Sequence, residues 1–150
     1  MPATEPSQSV VIYLTVKEGA RAIEFYQKAF GAKELMRLAE PSGRVGHAEI
    51  QIGNTIVMLS DEYPEMKILG PQSLGGASAG LQLVVDDADA VFARALAAGA
   101  TSVQPVQDQF YGYRSGKLTD PFGHVWYVAT NKEHLTNQEM RHRYEKMMQQ

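Results

Sequence analysis

Apolar and polar residues alternate with a period of two from Val10 to Val16, with Ile12, Leu14 and Val16 on one side and Val11, Tyr13 and Thr15 on the other. That is the pattern of a half-buried strand. From Gly19 to Phe30 the period lengthens: Ala22, Phe25, Tyr26 and Ala29 recur at helical spacing, and Gly31 stands where a left-handed cap belongs. Period two returns at Glu34–Ala39, which Pro41-Ser42-Gly43 ends, and at Gly46–Ile52, where Ala48, Ile50 and Ile52 oppose His47, Glu49 and Gln51. Gly53-Asn54 turns the chain into a fourth strand, 55–60. Residues 61–78, with Pro64, Pro71 and several glycines, read as a linker.

The same order then recurs. Leu81, Leu83 and Val85 alternate in a strand, 88–98 forms a helix capped by Gly99, and 102–106 is a short strand. Pro105 cannot donate to a ladder, so that strand belongs at a sheet edge. Gly112–Thr119 and Val125–Ala129 close the unit as a hairpin, turned by Asp120-Pro121-Phe122-Gly123. Ile12, Leu14 and Val16 precede Leu81, Leu83 and Val85 by 69 positions. Ala22, Ile23, Ala29 and Gly31 precede Ala90, Val91, Ala97 and Gly99 by 68. Any strand–helix pair shares part of this grammar. An offset that holds through strand, helix and cap with one slip predicts a βαβββ unit written twice, with the shortening placed between strand and helix. The fold class is α+β. Residues 1–8 read as a loose tail and 9–132 as one domain, with modules at about 10–60 and 79–130. Beyond it, Thr136-Asn137-Gln138-Glu139 has the form of a capping box and opens a C-terminal helix within 133–150. Met140, Tyr144 and Met147 or Met148 share one face of that helix, which would pack on its own domain or on a partner.

Composition narrows the function. The chain of 150 residues carries a net charge of −3, with no basic excess to hold a phosphate backbone, so nucleic acid is not expected as a partner. It has no cysteine, which removes disulfides, thiolate nucleophiles and Cys-ligated metals. It shows neither a signal-peptide pattern nor a membrane-length apolar run, and reads as cytoplasmic.

Four stretches carry a family resemblance: Ala22-Ile23-Glu24-Phe25-Tyr26, Gly46-His47-Ala48-Glu49, Met58-Leu59-Ser60-Asp61 and Asp120-Pro121-Phe122-Gly123-His124-Val125-Trp126. With the paired modules they resemble the vicinal oxygen chelate superfamily of glyoxalase I, bleomycin-resistance proteins and extradiol dioxygenases, and within it the PhnB-like group, over residues 8–132. The resemblance implies two curved sheets forming a cup-shaped, eight-stranded half-open barrel, with helices on one face and a ligand cavity on the other. It also implies frequent homodimers, with cups sometimes completed across subunits. Strand alternation then assigns Ile12, Leu14, Val16, Ala48, Ile50, Ile52, Leu81, Leu83, Val85, Trp126 and Val128 to the core. Val11, Tyr13, Thr15, His47, Glu49, Gln51, Gln82, Val84 and Tyr127 fall to the cup.

In metal-dependent members of the superfamily, the ligands come from first and last strands of the modules. The matching places here are Val11, Gly80, Tyr127 and either Met58 or Val57, none of them a histidine or carboxylate. No metal or other cofactor is therefore expected at that place. His47 and Glu49, two apart on one strand and so on one face, are the candidate catalytic pair: a general base with its orienting carboxylate, or a non-standard ligand pair. They could equally be a polar strand pair bonded to neighbouring strands or at a subunit contact. Phe110-Tyr111-Gly112-Tyr113-Arg114 could form the mouth of the cup and clamp an anionic or aromatic ligand, or seal the core or a dimer contact. Lys117 would add a cation on the same strand. The ligand-binding set is thus Tyr13, Gln51, Gln82, Tyr111, Tyr113, Arg114, Lys117 and Tyr127. His124 is expected to make a structural hydrogen bond, Asp61 to cap the linker, and His134 and His142 to be solvated. Three functions follow: a metal-independent binder of a small organic molecule; a glyoxalase-related lyase, isomerase or dioxygenase-type enzyme using His47 and Glu49, with or without a divalent metal; or, with least support, a structural or regulatory dimer with no ligand.

Overall fold

The computed structural model describes residues 7–150, so the first six residues of the predicted tail lie outside the described residues. The first unit runs β1 (Ile12–Val16), α1 (Gly19–Phe30), β2 (Lys33–Ala39), β3 (Val45–Ile52) and β4 (Thr55–Asp61). The second runs β5 (Gly80–Val84), α3 (Ala88–Ala97), β6 (Thr101–Asp108), β7 (Tyr113–Thr119) and β8 (Val125–Asn131). The predicted linker contains a 3₁₀ turn, Pro64–Met66, and a short helix α2, Pro71–Leu74, each opened by a proline whose missing N–H costs nothing there. Helix α4 (Asn137–Met148) follows. Its cap is as predicted, with Thr136 Oγ1 accepting from the Glu139 backbone N–H at 3.1 Å. Among the described residues no helix is long and apolar enough to cross a membrane.

The strand orders are β1-β4-β3-β2 and β5-β8-β7-β6, so both units have one topology. In each, the first strand lies parallel to the last and the other pairs are antiparallel. Among the described residues the eight strands divide into two four-stranded sheets and close no barrel. Strand β6, with Pro105, is an edge strand. Helix α1 packs on the first sheet, α3 on the second, and the two helices pack on each other. One apolar cluster therefore spans both units, from Val16, Ile23 and Leu59 to Phe92, Leu118 and Trp126.

The predicted core faces are observed, with Leu14, Val16, Ala48, Ile50, Ile52, Leu81, Trp126 and Val128 all buried. Ile12 and Leu83, on the edge strands β1 and β5, and Val85, just past β5, are only half-buried. The predicted slip between strand and helix is corrected. Gly19 N–H donates to Asp61 and Ala88 N–H donates to Thr130, the same bond 69 positions apart. The buried pairs Ile23/Phe92 and Tyr26/Ala95 keep that offset, so the shortening lies at the helix end, where α3 is two residues shorter than α1.

Packing of α3 on its sheet leaves no room at Gly116. A Cβ there would stand 2.8 Å from Phe92 Cε2 and 2.8 Å from Val106 Cγ2. Gly116→Ala should cost about 1–3 kcal/mol by overpacking. Urea unfolding measures it, and an unchanged midpoint would mean that α3 rides outward freely.

Candidate functional site

Each sheet turns one face to its helix and leaves the other open. On the open face of the first sheet, Tyr13, Met58, Glu49 and Met36 form one row across β1, β4, β3 and β2. His47 lies one pleat further along β3. Its ring bridges two neighbours: Nδ1 is 2.9 Å from the Tyr13 hydroxyl and Nε2 is 3.0 Å from Glu49 Oε2. The Tyr13 and His47 ring centroids are 5.5 Å apart. His47 and Glu49 are about one-quarter exposed, at 25% and 27% of their side-chain surface, whereas Tyr13 is 49% exposed. Val11, Leu38 and Ile56 surround this polar set as exposed apolar residues.

On the open face of the second sheet, Gln82, Tyr127 and Lys117 form a row across β5, β8 and β7. The Lys117 ammonium lies 5.5 Å from the Tyr127 ring centroid, a cation–π contact. The Tyr127 ring leans over β5, so that a Cβ on Gly80 would fall 2.8 Å from Tyr127 Cε2. Between the units, Tyr13 and Thr15 of β1 and Gly80 of β5 border a cavity of about 380 Å³ roofed by Pro71 and Leu74. A second cavity of about 360 Å³ lies on the other side of Tyr13, against Ser60, Tyr63, Met66 and Ile68.

The readings of Arg114 and Asp61 are corrected, and other expected residues make contacts of their own. Arg114 does not reach the open face. Leu118 and Gly116 face the helix, so Arg114, two further along, does too. There its Nε and Nη2 donate to Asp89 of α3 at 2.7 and 3.0 Å. That hydrogen bond holds the Asp89 carboxyl below its usual value against a smaller opposing effect of burial. Tyr111 and Tyr113 have ring centroids 5.8 Å apart, beside Phe110, which meets Tyr144 of α4 at 5.7 Å. The Arg143 guanidinium of α4 donates to the Phe110 carbonyl, so this cluster anchors the C-terminal helix. Gln51 donates to the Gly53 carbonyl and stiffens its own hairpin. Asp61 does not cap the linker. Its two carboxylate oxygens accept from the backbone N–H of Gly19 and of Val45, tying the start of α1 to β3. His124 makes the expected structural bond, to the Thr15 carbonyl on the free edge of β1 at 3.0 Å.

The residues at the places where the resemblance implies a metal do not fit a divalent ion. Val57 is buried on the helix side, which leaves Met58 as the open-face residue of β4. Val11 and Gly80 have no donor atom, Met58 offers a thioether and Tyr127 a phenol that packs on Gly80. Among the described residues no three His, Cys, Asp or Glu side chains converge to hold a metal.

Paired βαβββ sheets with helices on one face and open polar rows on the other define a class of two-module α+β proteins. The sequence profile of the Glyoxalase/Bleomycin resistance protein/Dioxygenase superfamily matches residues 8–128, and the chain belongs to that superfamily. An uncharacterised protein of Mycobacterium bovis is 48% identical over 117 residues, covering 76% of this chain and 77% of its own. Among solved structures, TioX from Micromonospora sp. ML1 is 30% identical with a TM-score of 0.61, over 86% of this chain and 100% of that one. A PhnB protein from Bacillus cereus, 19% identical over 82% of this chain and 99% of its own, shares the fold with a TM-score of 0.66.

Proposed function

We propose that this protein binds a small organic molecule against the open faces of its sheets, without the superfamily metal, as a cytoplasmic homodimer. One observation carries the reading: a hydrogen-bonded polar centre, Tyr13–His47–Glu49, sits among apolar side chains that stand exposed among the described residues. Val11, Leu38 and Ile56 are 47%, 58% and 42% exposed. Apolar surface around a few convergent polar groups is the composition of a ligand site, and exposed apolar side chains beside it suit closure by a second subunit. Lys117 and Tyr127 add a cation and a π-face on the second sheet, which favours an anionic or aromatic ligand. The bonds of His47 to Tyr13 and Glu49 support a second, enzymatic reading.

The test is thermal unfolding in the presence of a panel of small anionic and aromatic compounds. A ligand at about one hundred times its dissociation constant stabilises the fold by about 2.7 kcal/mol, which for a domain of this size raises Tm by roughly 5–10 °C. Lys117→Ala and Tyr127→Ala should each reduce that shift. A panel with no active compound, or shifts that survive both substitutions, would place binding elsewhere or remove it. Sedimentation should give twice 16.5 kDa.

A further inference from the structure

We propose that Tyr13 is a proton-exchanging catalytic residue, with His47 and Glu49 positioned behind it as a relay. The order of the three groups comes from their hydrogen bonds. A carboxylate only accepts, so the 3.0 Å contact of Glu49 Oε2 puts the proton of the neutral imidazole on Nε2. Nδ1 then carries the lone pair, and across 2.9 Å the Tyr13 hydroxyl donates to it. The array reads Glu49 carboxylate, His47 Nε2–H, His47 Nδ1, Tyr13 O–H. This is the arrangement that activates a hydroxyl through an oriented imidazole, with tyrosine in the hydroxyl's place.

Access sets the roles. Tyr13 borders both cavities, of about 380 and 360 Å³, whereas His47 and Glu49 border neither. A molecule in either cavity lies against Tyr13, and the imidazole acts through its phenol. Because the phenol's own proton points at Nδ1, its oxygen lone pairs are free to take a proton from a ligand. The substrate class is a small molecule with an acidic O–H or C–H. In the step, the ligand's X–H bond breaks and a new Tyr13 O–H forms. The original phenolic O–H breaks as His47 Nδ1–H forms. The imidazolium is held against the Glu49 carboxylate, opposite the ligand's new negative charge. Return of the proton at another ligand atom completes an isomerisation that needs no co-reactant.

The proposal rests on reading this face as the ligand site, but its chemistry can be tested without the ligand. The probe is N-acetylimidazole, which transfers its acetyl group to phenolic oxygen and leaves as imidazole. The phenolic proton passes to His47 and on to the departing imidazole. Tyr144 is an internal control, since it is 50% exposed against 49% for Tyr13 and has no histidine partner among its contacts. Peptide mass spectrometry follows each site in one sample. We expect Tyr13 to be acetylated about 100-fold faster than Tyr144, the lower end of what a positioned base contributes. His47→Phe should bring Tyr13 down to the rate of Tyr144, and Glu49→Gln, which keeps the imidazole but not its carboxylate, should give an intermediate rate. Circular dichroism checks that each variant is folded. A Tyr13 rate equal to that of Tyr144, or a fast rate untouched in folded His47→Phe and Glu49→Gln, overturns the relay. Absence of any thermal shift with the compound panel would instead sink the ligand reading and leave this result standing.

Discussion

Asp120→Ala should lower the unfolding free energy by about 3–5 kcal/mol, the scale for breaking a buried charged network by removing one partner. Asp120 is 3% exposed, in the β7–β8 turn. Its Oδ1 accepts from the backbone N–H of Phe122 at 2.9 Å and of His124 at 3.0 Å. Its Oδ2 accepts from the Trp126 indole N–H at 2.9 Å and from the Tyr26 hydroxyl. Removing the carboxylate strands four donors, each costing about 1–3 kcal/mol if left unpaired, less whatever entering water recovers. Tyr26 comes from α1, so this one side chain fixes the turn of the second unit to the helix of the first. Burial, ahead of the Asp120 charge, pushes the Tyr26 phenol well above the ordinary tyrosine value. The protonated donor is therefore the folded form, and its contribution is full below the ordinary value and fades only as pH climbs above it. Tyr26→Phe should cost less, about 1.5–3 kcal/mol, because Asp120 keeps three donors. Urea denaturation reads both as midpoint shifts at constant slope. A loss below about 1 kcal/mol for Asp120→Ala would show that the junction is held by the aromatic packing of Tyr26, Phe30 and Trp126 alone.

The sequence disclosed the repeat because its signals are local. Period-two strands, a 3.6-period helix and glycines after both helices sit in the same order twice. The helix offset went astray because alanines at 22, 29, 90 and 97 are interchangeable by type, and only burial tells them apart: Ala90 and Ala97 are exposed, whereas Ala22 and Ala29 are buried. His47 and Glu49 were legible as a pair because residues two apart on a strand must share a face. Their partner Tyr13 is 34 positions away and two strands over, and it meets His47 only because β4 inserts between β1 and β3. No local pattern carries that information. Arg114 is a different case. Alternation from buried Leu118 puts it on the helix side, but its aromatic neighbours at the start of the strand suggested the mouth of the cup. The destination of Asp61 was hidden for the reason that hid Tyr13: its donors, Gly19 and Val45, are 42 and 16 positions away.

Wild-type protein dialysed against zinc or nickel and then desalted should retain no stoichiometric ion, and Gly80→His with Tyr127→Glu should gain binding. The two positions adjoin, since the Tyr127 ring lies where a Gly80 side chain would begin, 2.8 Å from that added Cβ. Removing the ring makes the space that an imidazole needs, and the paired change supplies a nitrogen and a carboxylate in place of a phenol over bare backbone. With donors at both positions, affinity should rise over wild type by at least the roughly tenfold to 100-fold that loss of an outer-shell partner costs an existing metal site. Gly80→His alone should gain little and lose stability, because the tyrosine ring blocks it. The other place a metal could be sought is His47, where both ring nitrogens are already engaged, by Tyr13 and by Glu49. A metal there would have to displace Tyr13 or Glu49. Elemental analysis therefore separates the cases. Stoichiometric metal in wild type that disappears in His47→Ala would put the ion on the His47–Glu49 pair at the expense of those bonds. Metal that survives His47→Ala and is lost with Tyr127→Phe would show that the phenol ligates after all, and that the open face of the second sheet holds an ion that its side chains do not suit.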